Sequence, residues 1–227
     1  MKVYCGAIRR LTFIIAITYG LIAMFFVIVS EDQREYQLLA VYDKVLVYLL
    51  TPLFLLLSCR VEAVMGANMS IRLGSRRRVL AIRLALHGMC AVFCSILWLT
   101  VTNLCAAPYY LALTNLSAVL RCLPLLLRFG NNGALTTLCY IPLWLLLAEV
   151  SLLIEKLMPP KTAALSYAAG YLIFMVELMS LTRVLPRMIG LLFTWFYRGY
   201  IGEVALCVWC VILAAVLVRV SEREDIV

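Results

Sequence analysis

Apolar residues run along this chain in blocks of about twenty, divided by short polar or basic stretches, with no sustained two-residue alternation of the kind a half-buried strand would show. A helix rises about 1.5 Å per residue, so about 20 apolar residues cross the roughly 30 Å hydrocarbon core of a bilayer. Six blocks meet that length: 11–29, 38–58, 79–107, 135–154, 163–181 and 201–218. The pattern therefore predicts an all-α membrane protein, a single transmembrane domain of six helices over residues 1–227.

The polar stretches set its orientation. Arg9 and Arg10 precede the first block and the acidic run SEDQREYQ follows it, which places the amino terminus in the cytoplasm. Of the chain's 20 Lys and Arg residues, Arg60, Arg72, Arg76, Arg77, Arg78 and Arg83 crowd around the connection between the second and third blocks, which reads as cytoplasmic. Six crossings put both termini on that side. Asp43 and Lys44 lie near the outer end of the second block, and Pro52 inside it predicts a kink through one missing backbone hydrogen bond. Residues 109–127 form a seventh apolar stretch interrupted by Asn115, Arg121 and Pro124. The distribution of Lys and Arg does not choose between six and seven crossings, but Arg121 in mid-bilayer would cost a few kcal/mol, which favours an external interfacial or re-entrant helix. Residues 182–200, broken by Pro186 and Gly190 and rich in Trp, Phe and Tyr, read as a broken amphipathic segment at the outer interface before the sixth helix.

Composition agrees with this class: 65% hydrophobic and 14% charged residues, with a mean hydropathy of +1.02, exclude a soluble single domain. The net charge of +8 sits at the ends of apolar blocks, where insertion and anionic lipid headgroups require it, and does not indicate nucleic acid. Most of the nine cysteines lie inside apolar blocks, where each acts as a small hydrophobe; Cys90 with Cys94, and Cys207 with Cys210, are expected to pack rather than to ligate or cross-link. No small-residue cleavage site follows the first block, so no cleavable leader is expected. The single histidine, and the lack of HExxH, of a Gly-x-Ser-Gly setting and of any carboxylate-rich metal motif, argue against an intramembrane hydrolase and against a metal site.

Two groups of residues are candidates for function. Residues 61–73 can form a short amphipathic helix after the second span, with a break at Gly74 and Ser75 before Arg76 restarts a helix; at about 100° per residue, Arg72, Arg76 and Arg83 share one basic face, expected to look away from the membrane core. Ionisable residues inside spans are costly and therefore candidates for a translocation path: Glu149, Glu177, Glu203 and His87. Glu177 and Glu203 can pair with Arg183, Arg187 or Arg198, whereas Glu149 has no evident partner. His87 suits a hydrogen-bonded packing role as well as a functional one. Ala163, Ala164, Ala168, Ala169 and Gly170 make the fifth span a close-contact face.

The connector Arg72-Leu73-Gly74-Ser75-Arg76-Arg77-Arg78, placed after the second of six spans, resembles that of permease subunits of type-2 ATP-binding-cassette transporters, particularly small bacterial ones of peptide or antibiotic export and immunity. The six spans, the cytoplasmic amino terminus and the broken segment before the last span are similar to that family; the long stretch 107–132 departs from it. The resemblance implies a permease in the cell membrane that pairs with a second permease, identical or homologous, and with two cytoplasmic ATPase subunits. It implies that the cytoplasmic helix between the second and third spans, with Arg72, Gly74, Ser75, Arg76, Arg77 and Arg78, couples to the ATPase. ATP and Mg would bind the partner, since this chain has no GxxxxGK[ST] loop. A non-pumping membrane binding or immunity protein is the alternative.

Overall fold

The computed structural model describes residues 2–31, 45–73, 76–105, 133–157, 163–178 and 199–223. Among them all regular structure is helical: α1 (Lys2–Val29), α2 (Thr51–Leu73), α3 (Arg76–Cys105), α4 (Gly133–Leu157), α5 (Ala163–Leu178) and α6 (Gly199–Arg223). Four stretches are long and apolar enough to cross a membrane, Arg9–Val29, Leu46–Ala63, Arg77–Thr102 and Val204–Ser221, and mark a membrane-embedded protein. The fourth and fifth expected segments are helical as well. The last three turns of α4 carry Glu149, Glu155 and Lys156, and the apolar part of α5 is Ala164–Val176. The stretches 109–127 and 182–198 lie outside the described residues.

At Pro52, where the sequence predicts a kink, the chain forms a π-helical stretch, Leu46–Leu50, leading into α2, with the Thr51 N–H donating to the Leu46 carbonyl. Proline cannot donate to the carbonyl four residues back and its ring crowds it; widening the preceding turn to i→i−5 relieves that crowding without ending the helix. One expectation is corrected here. Residues 61–73 are not a separate short helix but the continuation of α2, which runs unbroken to Leu73. The chain is helical again from Arg76; Gly74 and Ser75, where the sequence predicts a break, lie outside the described residues.

Contacts divide the chain into two compact units, 1–53 with 92–140 and 54–91 with 141–227; α2 and α4 run from the first into the second, and α3 runs out of the second into the first. In the first unit, Ile15, Tyr19, Ala23 and Phe26 are buried at helical spacing along one face of α1. Tyr19 and Phe26 meet the Trp98 ring edge-on, with centroids 5.4 and 6.5 Å away. In the second unit, Phe54 stacks on Trp144 at 5.2 Å, and Leu80, Leu152 and Leu217 form an apolar layer joining α3, α4 and α6.

Burial is reversed relative to a water-soluble protein. Phe13, Ile28 and Val211 are 67%, 79% and 71% exposed, while Glu62, His87, Glu149, Ser58, Ser95 and Ser151 are buried. Lipid tails solvate the apolar exterior as well as a protein core would, so polar groups gather inside the bundle where partners exist. Several hydroxyls find theirs on their own helix: Thr102 Oγ1 donates to the Trp98 carbonyl at 2.8 Å and Ser151 Oγ to the Leu147 carbonyl at 2.8 Å.

Candidate functional site

The second unit contains a buried ionic cluster drawn from four helices. Arg83 lies two turns into α3 and His87 follows it at i+4, so both side chains leave the same face. Glu62 comes from α2, Glu155 from the last turn of α4 and Tyr167 from the second turn of α5. The apolar layer of Leu80, Leu152 and Leu217, with Leu84, Leu153 and Val218 against it, packs the same stretches of α3 and α4 and so positions these polar groups.

Arg83 is the hub. Its Nη2 forms ion pairs with Glu62 Oε1 and, at 2.6 Å, with Glu155 Oε2, so one guanidinium joins α3 to both α2 and α4. The Tyr167 hydroxyl donates to Glu62 Oε2 and lies 2.9 Å from His87 Nε2, which is itself 3.6 Å from Glu62 Oε2. The His87 and Tyr167 rings meet edge-on at 5.9 Å. Side-chain exposure falls from 28% at Glu155 and 16% at Arg83 to 6% at Glu62 and 1% at His87, so the cluster runs from a partly open rim to a closed interior. At its inner end, His87 Nδ1 has no hydrogen-bond partner among the described residues. Charges so placed interact strongly because little water screens them, and breaking one pair leaves its partner uncompensated.

The expected basic face is therefore corrected at Arg83: its side chain does not look away from the membrane core but turns into the bundle. Two carboxylates from neighbouring helices outbid solvent for a guanidinium otherwise flanked by leucines. Arg77 and Arg78 are exposed. The side chains of Arg72 and Arg76, and residues Gly74 and Ser75, lie outside what the structure describes. His87 is in the cluster, hydrogen-bonded as a packing histidine would be. Glu149 is buried in the second unit, away from lipid, with Oε2 unpartnered among the described residues. Glu177 lies on α5 and Glu203 on α6, but their side chains, like Arg183, Arg187 and Arg198, fall outside the described residues.

Cys90, Cys94 and Cys210 are buried free thiols, and Cys210 Sγ donates to the Pro142 carbonyl at 3.3 Å, which agrees with packing roles. No group of three or more potential metal ligands occurs among the described residues. Sequence reasoning missed Glu62, Glu155 and Tyr167 as site residues, and grouped Arg83 with the connector. The available signal was depth: each falls within about two turns of a span end on the same side of the expected topology. No protein-family model, curated protein or solved structure matches this chain.

Proposed function

We propose that this chain is the membrane-spanning permease subunit of an ATP-driven transporter, crossing the cell membrane six times with both termini cytoplasmic and exporting a peptide or amphipathic small molecule. ATP hydrolysis resides in separate cytoplasmic subunits, two of which dock beneath a pair of permeases. The observation that carries this reading is the position of the Glu62–Arg83–Glu155 cluster. It joins the two helices that lead to the basic connector: α2 continues past its apolar span to Leu73, and α3 begins with Arg76, Arg77 and Arg78. A force applied to that connector reaches α2 and α3 through continuous helix and reaches α4 and α5 through the ion pairs and the Tyr167 hydrogen bond. Such a junction lets ATPase closure bias two arrangements of the bundle.

The test is affinity purification of the tagged chain from its native membrane, beside a form carrying Arg76→Glu, Arg77→Glu and Arg78→Glu. A Walker-motif ATPase co-eluting at equal stoichiometry with the wild type and depleted in the variant is the expected result. Wild-type transport and ATPase stimulation in the variant would overturn the docking site. Absence of any ATPase from a folded, dimeric wild type would overturn the pump and leave the non-pumping binding or immunity protein.

A further inference from the structure

The hydrogen-bond chain from Glu62 through Tyr167 to His87 has one more property than a latch needs. The Tyr167 oxygen lies within hydrogen-bonding distance of both Glu62 Oε2 and His87 Nε2, yet a hydroxyl has a single hydrogen. With that hydrogen given to Glu62, the second contact is a bond only if His87 carries its proton on Nε2. Nδ1 is then a bare lone pair in a residue that is 1% exposed, facing no donor among the described residues. A buried acceptor without a partner is costly, and is a place where a proton can be taken up.

We infer that Glu62, Tyr167 and His87 form a proton-binding relay, loaded at His87 Nδ1 and emptied onto Glu62, which slackens the Arg83 latch when it is filled. The step balances as follows. One proton from water bonds to Nδ1, the Nε2 proton passes to the Tyr167 oxygen, and the Tyr167 hydrogen passes to Glu62 Oε2. His87 ends neutral with its proton on Nδ1, Tyr167 ends unchanged, and Glu62 ends as an uncharged acid. Its contact with Arg83 falls from an ion pair to an ordinary hydrogen bond, leaving Glu155 as the remaining carboxylate on that guanidinium. α2 is then held to α3 and α4 less strongly than before.

The groups facing this chain are Glu62 and Cys59 from α2, Arg83 and Cys90 from α3, and Glu155 from α4, while α6 presents Leu217 and Val218 to this end of the bundle. Glu155, at 28% exposed, puts the partly open side of the cluster at its Arg83–Glu62 end, where the relay empties. The relay does not depend on the transporter reading; a binding or immunity protein with these residues would carry it equally.

His87 is the single histidine of the chain, so a sample grown with nitrogen-15 histidine reports one ring. Nitrogen NMR of the full chain in lipid bilayers, taken from about pH 9 to about pH 4.5, reads both its protonation and its tautomer. The expected wild-type result is a switch on acidification from the Nε2–H to the Nδ1–H neutral tautomer. Tyr167→Phe, which keeps the ring and removes the carrier oxygen, abolishes the switch. Glu62→Gln places an amide donor against the tyrosine oxygen and holds the Nδ1–H tautomer at every pH; should this variant not fold, the wild type and Tyr167→Phe decide the matter between them. An ordinary imidazole-to-imidazolium titration with the same midpoint in Tyr167→Phe overturns the relay. A wild-type ring that keeps one tautomer across the whole range overturns it too.

Discussion

Arg83→Met should cost the folded protein about 3–5 kcal/mol, the largest loss expected of any single substitution at the site. Methionine replaces most of the aliphatic stem volume, so the loss comes from charge rather than from a cavity. Without the guanidinium, Glu62 at 6% side-chain exposure must either stay charged without a cation or take up a proton, and Glu155 loses its 2.6 Å partner. Glu155, at 28%, can turn toward water; Glu62 cannot, which makes it the main source of the penalty. The double variant Arg83→Met, Glu62→Gln should therefore recover most of the loss, even though it departs further from the native sequence. Heating the detergent-solubilised protein and following the monodisperse fraction by size exclusion measures both. A double variant no more stable than Arg83→Met would show that the pairing is not what holds these helix ends.

The second large effect is expected at Gly170. A methyl group there would strike Ser151 Oγ and sit at ordinary contact distance, 3.4 and 3.5 Å, from Ser151 Cβ and Cα, so α4 and α5 approach at a point where the Ser151 hydroxyl must give way to any side chain. Small residues at such crossings allow the close packing on which helix association in lipid depends. Gly170→Ala should lower stability by about 1–3 kcal/mol, despite the gain of roughly 1 kcal/mol that alanine brings to a helix interior. Ser151→Ala removes the offending oxygen, and the pair should be non-additive: Gly170→Ala should cost less in the Ser151→Ala background than alone. The same thermal assay completes the cycle, and equal costs in both backgrounds would rule out the contact as the cause.

The helices themselves were legible along the chain. Each apolar block coincides with a helix in the described residues, because exclusion of backbone polar groups from lipid is a local demand that any twenty-residue apolar run must meet by itself. The continuity of α2 to Leu73 was not legible, because the short helix expected over 61–73 rested on an amphipathic pattern, which does not fix where the preceding helix ends; Gly66 within it does not interrupt α2. The small-residue face of the fifth span was legible to the extent of naming Gly170; its partner Ser151 was not.

What the sequence by itself determined about this protein is its class and its helices, both of which depend on short runs of side chains meeting lipid or water. Only the tertiary structure decided which charges meet. Glu62 and Tyr167 are 105 positions apart, and Arg83 and Glu155 are 72. A pairing across that distance is set by which faces of four helices turn together, two of which, α3 and α4, share the apolar layer of Leu80 and Leu152. Periodicity places Arg83 on a face of α3; it carries no information on whether that face meets water or two carboxylates.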